Sequence, residues 1–100
     1  MTYPISVEQY IAAMQAQFGS NAQAEDICRN YYLPAMNNAY QDGKAGEPGY
    51  PMDPVAEITA FEKVQGHPVS DWGKRFIAAF VHSLNAAYTQ GQQTAKEAAV

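Results

Sequence analysis

The sequence predicts an all-α fold: a compact single-domain bundle of four to five helices with a Gly/Pro-rich surface loop. Three observations carry this. Apolar residues recur at three- and four-residue spacing in four separate stretches, the period of a helix with one buried face. No stretch alternates apolar and polar residues with β-branched side chains, as a half-buried strand would. Three of the four stretches open on capping signals, and each is followed by a glycine. One hundred residues, 47% hydrophobic and 16% charged, make one domain with enough apolar side chain for a core.

The first helix is expected near 6–18. Ser6 and Gln9 fit a capping box, Ile5 and Tyr10 a hydrophobic staple, and Val7, Tyr10, Ile11, Met14 and Phe18 share one face before Gly19. The second is expected over 21–41, with Ile27, Cys28, Tyr31, Tyr32, Ala35 and Ala39 on one side and Gly43 ending it. Pro34 removes a backbone donor and crowds the preceding turn, so a kink or break is expected near Tyr32–Leu33. The third, over 53–65, opens on Asp53–Pro54 and carries Val55, Ile58, Phe61 and Val64 every third residue, a weaker stripe, before Gly66. The fourth, over 70–90, is capped by Ser70 and has the widest stripe: Trp72, Phe76, Ile77, Phe80, Val81, Leu84 and Tyr88. It is expected at the centre of the bundle, with the 42–53 loop crossing its surface. After Gly91 the residues 92–100 have helix propensity but no apolar stripe, and a frayed tail is expected.

Charge and composition exclude several function classes. Ten acids against six bases give a net charge of −4, which argues against nucleic acid as a direct ligand, since that requires clustered Lys and Arg. A helix-turn-helix regulator is disfavoured because "VSDWGKRFIAAF" offers only Lys74 and Arg75 near a helix start. The N-terminus has no basic segment followed by an apolar one, and no stretch has the roughly 18 apolar residues of a membrane span. A cytoplasmic protein with no membrane partner is the expectation.

Catalytic chemistry finds no constellation. The single cysteine, Cys28, excludes an internal disulfide and a multi-cysteine zinc site. It sits on an apolar face, with Arg29 pointing elsewhere, where a thiolate nucleophile would need a basic neighbour. His67 in a connector and His82 on a polar helix face are fifteen residues apart and lack metal-ligand spacing. Glu25–Asp26 and Glu57–Glu62 are not on shared helix faces, and phosphate-binding and nucleophile-elbow motifs are missing. The chain is expected to be no enzyme, with no catalytic residues, metal or cofactor.

The loop "DGKAGEPGYPMDP" holds the one apolar pair outside every stripe, Tyr50 and Met52. Two readings stand: the pair folds back and plugs the bundle, or it is a contact patch for another protein. On the second reading the partner-binding residues are Asp42, Glu47, Tyr50, Met52, Asp53 and Glu57, a partly apolar, acidic patch suited to a basic protein surface.

From "MTYPISVEQYIAAMQAQF" to "FIAAFVHSLNAAYTQGQQTAKEAAV", the chain resembles the small anti-CRISPR proteins of phages and mobile elements of pseudomonads, especially the helical inhibitors of type I surveillance complexes. The resemblance implies a non-enzymatic, stoichiometric inhibitor. It would bind Cas proteins of a type I surveillance complex in the host cytoplasm and block target-DNA binding or hybridisation. The dispersed acids favour steric blocking over mimicry of DNA. A monomer is expected. The alternative is a small phage-encoded regulator or host-takeover adaptor that binds another host protein.

Overall fold

The computed structural model describes residues 5–98, and every described element is helical. Helix α1 spans Val7–Phe18 and α2 spans Ala22–Ile27; a π turn over Cys28–Tyr32 joins α2 to α3, Leu33–Ala45. Helix α4 spans Pro54–Gln65 and α5 spans Asp71–Ala98. The all-α single-domain bundle is therefore what the chain forms.

The start signals act as read. Ser6 Oγ accepts the Gln9 amide (3.2 Å) and Gln9 Oε1 accepts the Ser6 amide (3.5 Å), closing the capping box of α1. Asp53 Oδ1 accepts the Val55 amide at 3.0 Å, with Pro54 in the first turn of α4, and Ser70 Oγ accepts the Gly73 amide at 3.0 Å as α5 begins. These caps satisfy donors that have no partner inside the helix.

Two helix ends differ from expectation, those expected at Gly43 and Gly91, each for a packing reason. Ahead of Pro34 the α-helix is interrupted near Tyr32–Leu33, where a kink or break is expected, but the interruption does not end it. The chain widens to the π turn just before it, so that the Leu33 amide bonds the Cys28 carbonyl five residues back. The change of register thus comes where an amide is still available, and proline falls in the first turn of α3. Gly43 does not end α3. It is buried inside it, and the stop is Gly46, whose φ of 72° is the left-handed conformation a helix end favours. The loop is correspondingly shorter, lying between Gly46 and Asp53.

Nor does α5 stop at Gly91 or fray after it: it continues to Ala98, and residues 99–100 of the expected tail lie outside the described residues. The extra turns are held against α3, where the Tyr40 hydroxyl donates to Thr94 Oγ1 at 3.1 Å. Gly43 and Gly91 mark the crossing of these two helices. A Cβ on Gly43 would fall on the Tyr88 carbonyl oxygen, and one on Gly91 on the Tyr40 carbonyl oxygen. The glycines are there so that two backbones touch.

This α3–α5 pair is the largest interface of the fold, and α5 also carries α4. The core gathers Ile5, just ahead of α1, with Tyr10, Met14, Cys28, Met36, Ala39, Phe76, Leu84 and Ala87 from α1, α3, α5 and the π turn. Helix α4 adds no fully buried side chain to it. Of the expected α4 stripe, Val64 is 87% exposed, Val55 69% and Phe61 49%. A strict three-residue spacing drifts by about 60° per step, so Val55 and Val64 point to opposite sides and no single face collects them.

Candidate functional site

The site begins with the loop and continues along α4. Tyr50 folds back onto α5: its ring stacks on Tyr88 (centroids 4.2 Å, planes 9° apart), and its hydroxyl donates to Asp42 Oδ2 at 3.0 Å. The Tyr88 hydroxyl in turn donates to the Glu47 carbonyl at 2.6 Å. Two residues on, Asn85 clamps Met52 from both sides, its Oδ1 accepting the Met52 amide (2.7 Å) and its Nδ2 donating to the Met52 carbonyl (2.8 Å). Tyr50 and Met52 are half-buried and pack against the core cluster. Asp42, Glu47, Tyr50 and Met52 are thus brought together, although Glu47 takes part through its backbone. Asp53 is occupied as the α4 cap. Glu57 stands apart from the loop contacts, on the helix beyond them.

Glu57 belongs to a different constellation. With Ala60, Phe61 and Val64 it forms the spacing i, i+3, i+4, i+7, one narrow face of α4. Opposite lie Ile77, Phe80, Val81 and Leu84 of α5 at the same spacing. Between the two faces is a groove of about 310 Å³, with Met52 at one end and Tyr32 in its lining. The Tyr32 ring stacks on Phe80 (3.7 Å, 6°), giving the groove a stiff aromatic wall. Glu57 is the one charged side chain lining it. Ion pairing among the described residues is confined to Arg29–Asp26 at 3.6 Å, so this carboxylate reaches the groove without a counter-charge.

The catalytic candidates do not converge. Cys28 is wholly buried. Burial pushes its thiol up and the Glu25 charge adds to that, against a pull down from a hydrogen bond with Tyr10. The thiol stays protonated at neutral pH, and burial denies it a substrate. His67 lines a hollow with Gln65, Val69 and Trp72, whereas His82 lines another with Gln17 and Arg75. Among the described residues no three His, Cys, Asp or Glu side chains are placed to hold a metal ion. Glu62 has a structural task, accepting the Val69 amide at 2.8 Å across the α4–α5 connector. No helix among the described residues is long and apolar enough to cross a membrane.

The chain matches no family model, and neither a curated protein nor a solved structure is found to match it.

The Tyr50 contacts carry a pH signature. Burial, the hydrogen bond to Asp42 and the charges of Asp42 and Tyr88 push its phenol up to about 12, against about 10 in an unfolded chain. The fold therefore favours the neutral phenol. The stability this contributes is complete below pH 10 and is lost as pH rises toward 12. Urea midpoints are expected to fall across that window, and Tyr50→Phe, which keeps the ring, to flatten the fall. Asp42→Asn should return the Tyr50 titration toward 10 in a phenolate absorbance experiment. Part of the slope will survive either change, because burial also pushes Tyr32 up to about 12. An unchanged slope in Tyr50→Phe would show that this hydroxyl is not held as described.

Proposed function

We propose that this chain is a non-enzymatic inhibitor that binds a type I CRISPR-Cas surveillance complex through the α4–α5 face and sterically blocks target-DNA binding or hybridisation. The observation that carries the binding half of this reading is α4 itself. It is held on the bundle without burying any side chain completely, and it leaves Val55 and Val64 largely, and Phe61 half, in water. A helix that contributes so little to the core while presenting large apolar side chains beside a groove has the makings of a contact surface. Met52 and Glu57, two of the residues expected to touch a partner, line that groove. The resemblance to helical anti-CRISPR proteins supplies the partner, and the net charge of −4 suits a Cas surface shaped for DNA phosphates. The protein would act as a monomer in the host cytoplasm.

The test uses purified type I surveillance complex and labelled target DNA. The chain is expected to bind the complex stoichiometrically and to abolish DNA binding. Phe61→Asp should weaken this by about 30-fold or more, the effect of removing an interface anchor, and should lower the urea midpoint only modestly because half of Phe61 is already exposed. An intact complex that neither binds the protein nor loses DNA affinity would refute the inhibitor reading. Stoichiometric capture of a different host protein that is lost in Phe61→Asp would replace it with the adaptor reading.

A further inference from the structure

We infer that the α4–α5 groove receives an amphipathic helix of the protein partner, seated by apolar residues one turn apart and by a Lys or Arg on Glu57. This deepens the reading of the α4–α5 face as the contact surface and rests on it.

The form of the occupant follows from the form of the groove. Its two walls are helical faces, Glu57 to Val64 and Ile77 to Leu84, each about 10 Å long at 1.5 Å per residue. That is the length of two helical turns, which a third helix matches with side chains at i, i+3 or i+4, and i+7. The described residues include no strand whose edge could receive an extended peptide, so recognition by strand addition has nothing to build on.

The charge of the occupant follows from Glu57. Any apolar surface that covers Phe61 and Val64 also covers the carboxylate one and two turns before them, which is already half-buried. No hydrogen bond or ion pair among the described residues engages this carboxylate. Taking it out of water under an uncharged partner would oppose binding, as it does for any unpaired buried ion. A cation from the partner removes that cost. Lys63, the basic residue of α4, lies on a different face with Gly66 and Pro68 and does not line the groove. The direction is also fixed. Met52 is tied to Asn85 beside Leu84, so Glu57 occupies the Met52–Leu84 end and the partner's apolar anchors run from there toward Val64 and Ile77.

The experiment titrates the isotope-labelled full chain with two synthetic 15-residue helical peptides and follows backbone amide shifts. Both carry Leu at i, i+3 and i+7. One has Lys a turn outside the first Leu, and the other has Glu there. The Lys peptide is expected to shift Ala60, Ile77 and Leu84 and to bind at least tenfold more tightly than the Glu peptide. Glu57→Lys, a change on the surface of α4, should reverse that order. The inference is overturned if neither peptide shifts these residues, or if Glu57→Lys leaves the order unchanged. It is also overturned if the same amides shift on raising the protein concentration alone, which would make a second copy of this chain the occupant. No Cas protein enters this assay. Its failure leaves the binding experiment on the surveillance complex to be judged by itself, and the reverse holds.

Discussion

Gly91→Ala is expected to destabilise the protein by about 2 kcal/mol, and Gly91→Val by more than about 4 kcal/mol or to the point of not folding. Gly43→Ala should behave alike. Helix propensity alone predicts the opposite sign, since alanine is better than glycine in a helix interior by about 1 kcal/mol. Geometry decides against it. The new Cβ at either position lands on a carbonyl oxygen of the facing helix, and at Gly91 it also comes to 2.9 Å from the Lys44 amide nitrogen. Backbone cannot rotate away as a side chain can. The two helices must separate, and every contact of the largest interface in the fold loosens with them. Urea unfolding measures this directly, with Ala86→Ser on the exposed side of the same helix as control. A rise in midpoint for Gly91→Ala would show that propensity wins and that the helices do not touch there.

These glycines also show where the sequence stops being informative. Glycine after an apolar-periodic run reads as a stop, and at Gly19 and Gly66 it is one. At Gly43 and Gly91 the same residue type serves a close crossing instead. The difference depends on which helix lies opposite, a long-range fact that spacing along the chain does not carry. Pro34 is similar. Its incompatibility with an ordinary helical turn is legible, but a π turn that absorbs it without breaking the helix is stabilised by the packing of Cys28 and Tyr32. By contrast, Ser6–Gln9, Asp53–Pro54 and Ser70 are governed by local hydrogen bonds, and they could be placed from the sequence to within a residue.

The candidate site was half legible. Tyr50 and Met52 stand out as apolar residues belonging to no stripe, and the fold places both on α5 with named partners. The groove was concealed by counting α4 in threes from Val55. Counting from Glu57 gives Glu57, Ala60, Phe61 and Val64 at the spacing of a helix face, and would have marked a charged residue at the head of an apolar row. Nothing in the sequence shows that this row is left uncovered. That follows from α5 being engaged chiefly by α3.

Asn85→Ala is expected to release the loop from α5 while the bundle stays folded. Asn85 lies outside the apolar stripe of its helix, and it is only half-buried. Yet its amide makes both hydrogen bonds to Met52, the residue after which the chain turns into the α4 cap. Asn37 does the same for Ile5, accepting from its amide (2.9 Å) and donating to its carbonyl (3.4 Å) just before α1 begins. In each case a side-chain amide on a packed helix stands in for a strand neighbour, satisfying a backbone donor and acceptor that an irregular segment would leave unpaired. Removing the Asn85 pair forfeits about 1–3 kcal/mol, and the Tyr50–Tyr88 stack remains to hold the loop more weakly. Hydrogen exchange over 46–53 should therefore quicken by about 5- to 150-fold, the equivalent of that energy, with the core amides of α3 unchanged. Asn85→Asp separates the two bonds, because a carboxylate can still accept from the Met52 amide but cannot donate to its carbonyl. It should release the loop nearly as far as alanine does. Exchange that quickens equally throughout the molecule would mean that the loop and the bundle unfold as one unit. Met52 would then be a structural plug whose loss takes the α4–α5 groove with it, and contact with a partner through the loop would require the whole fold to be intact.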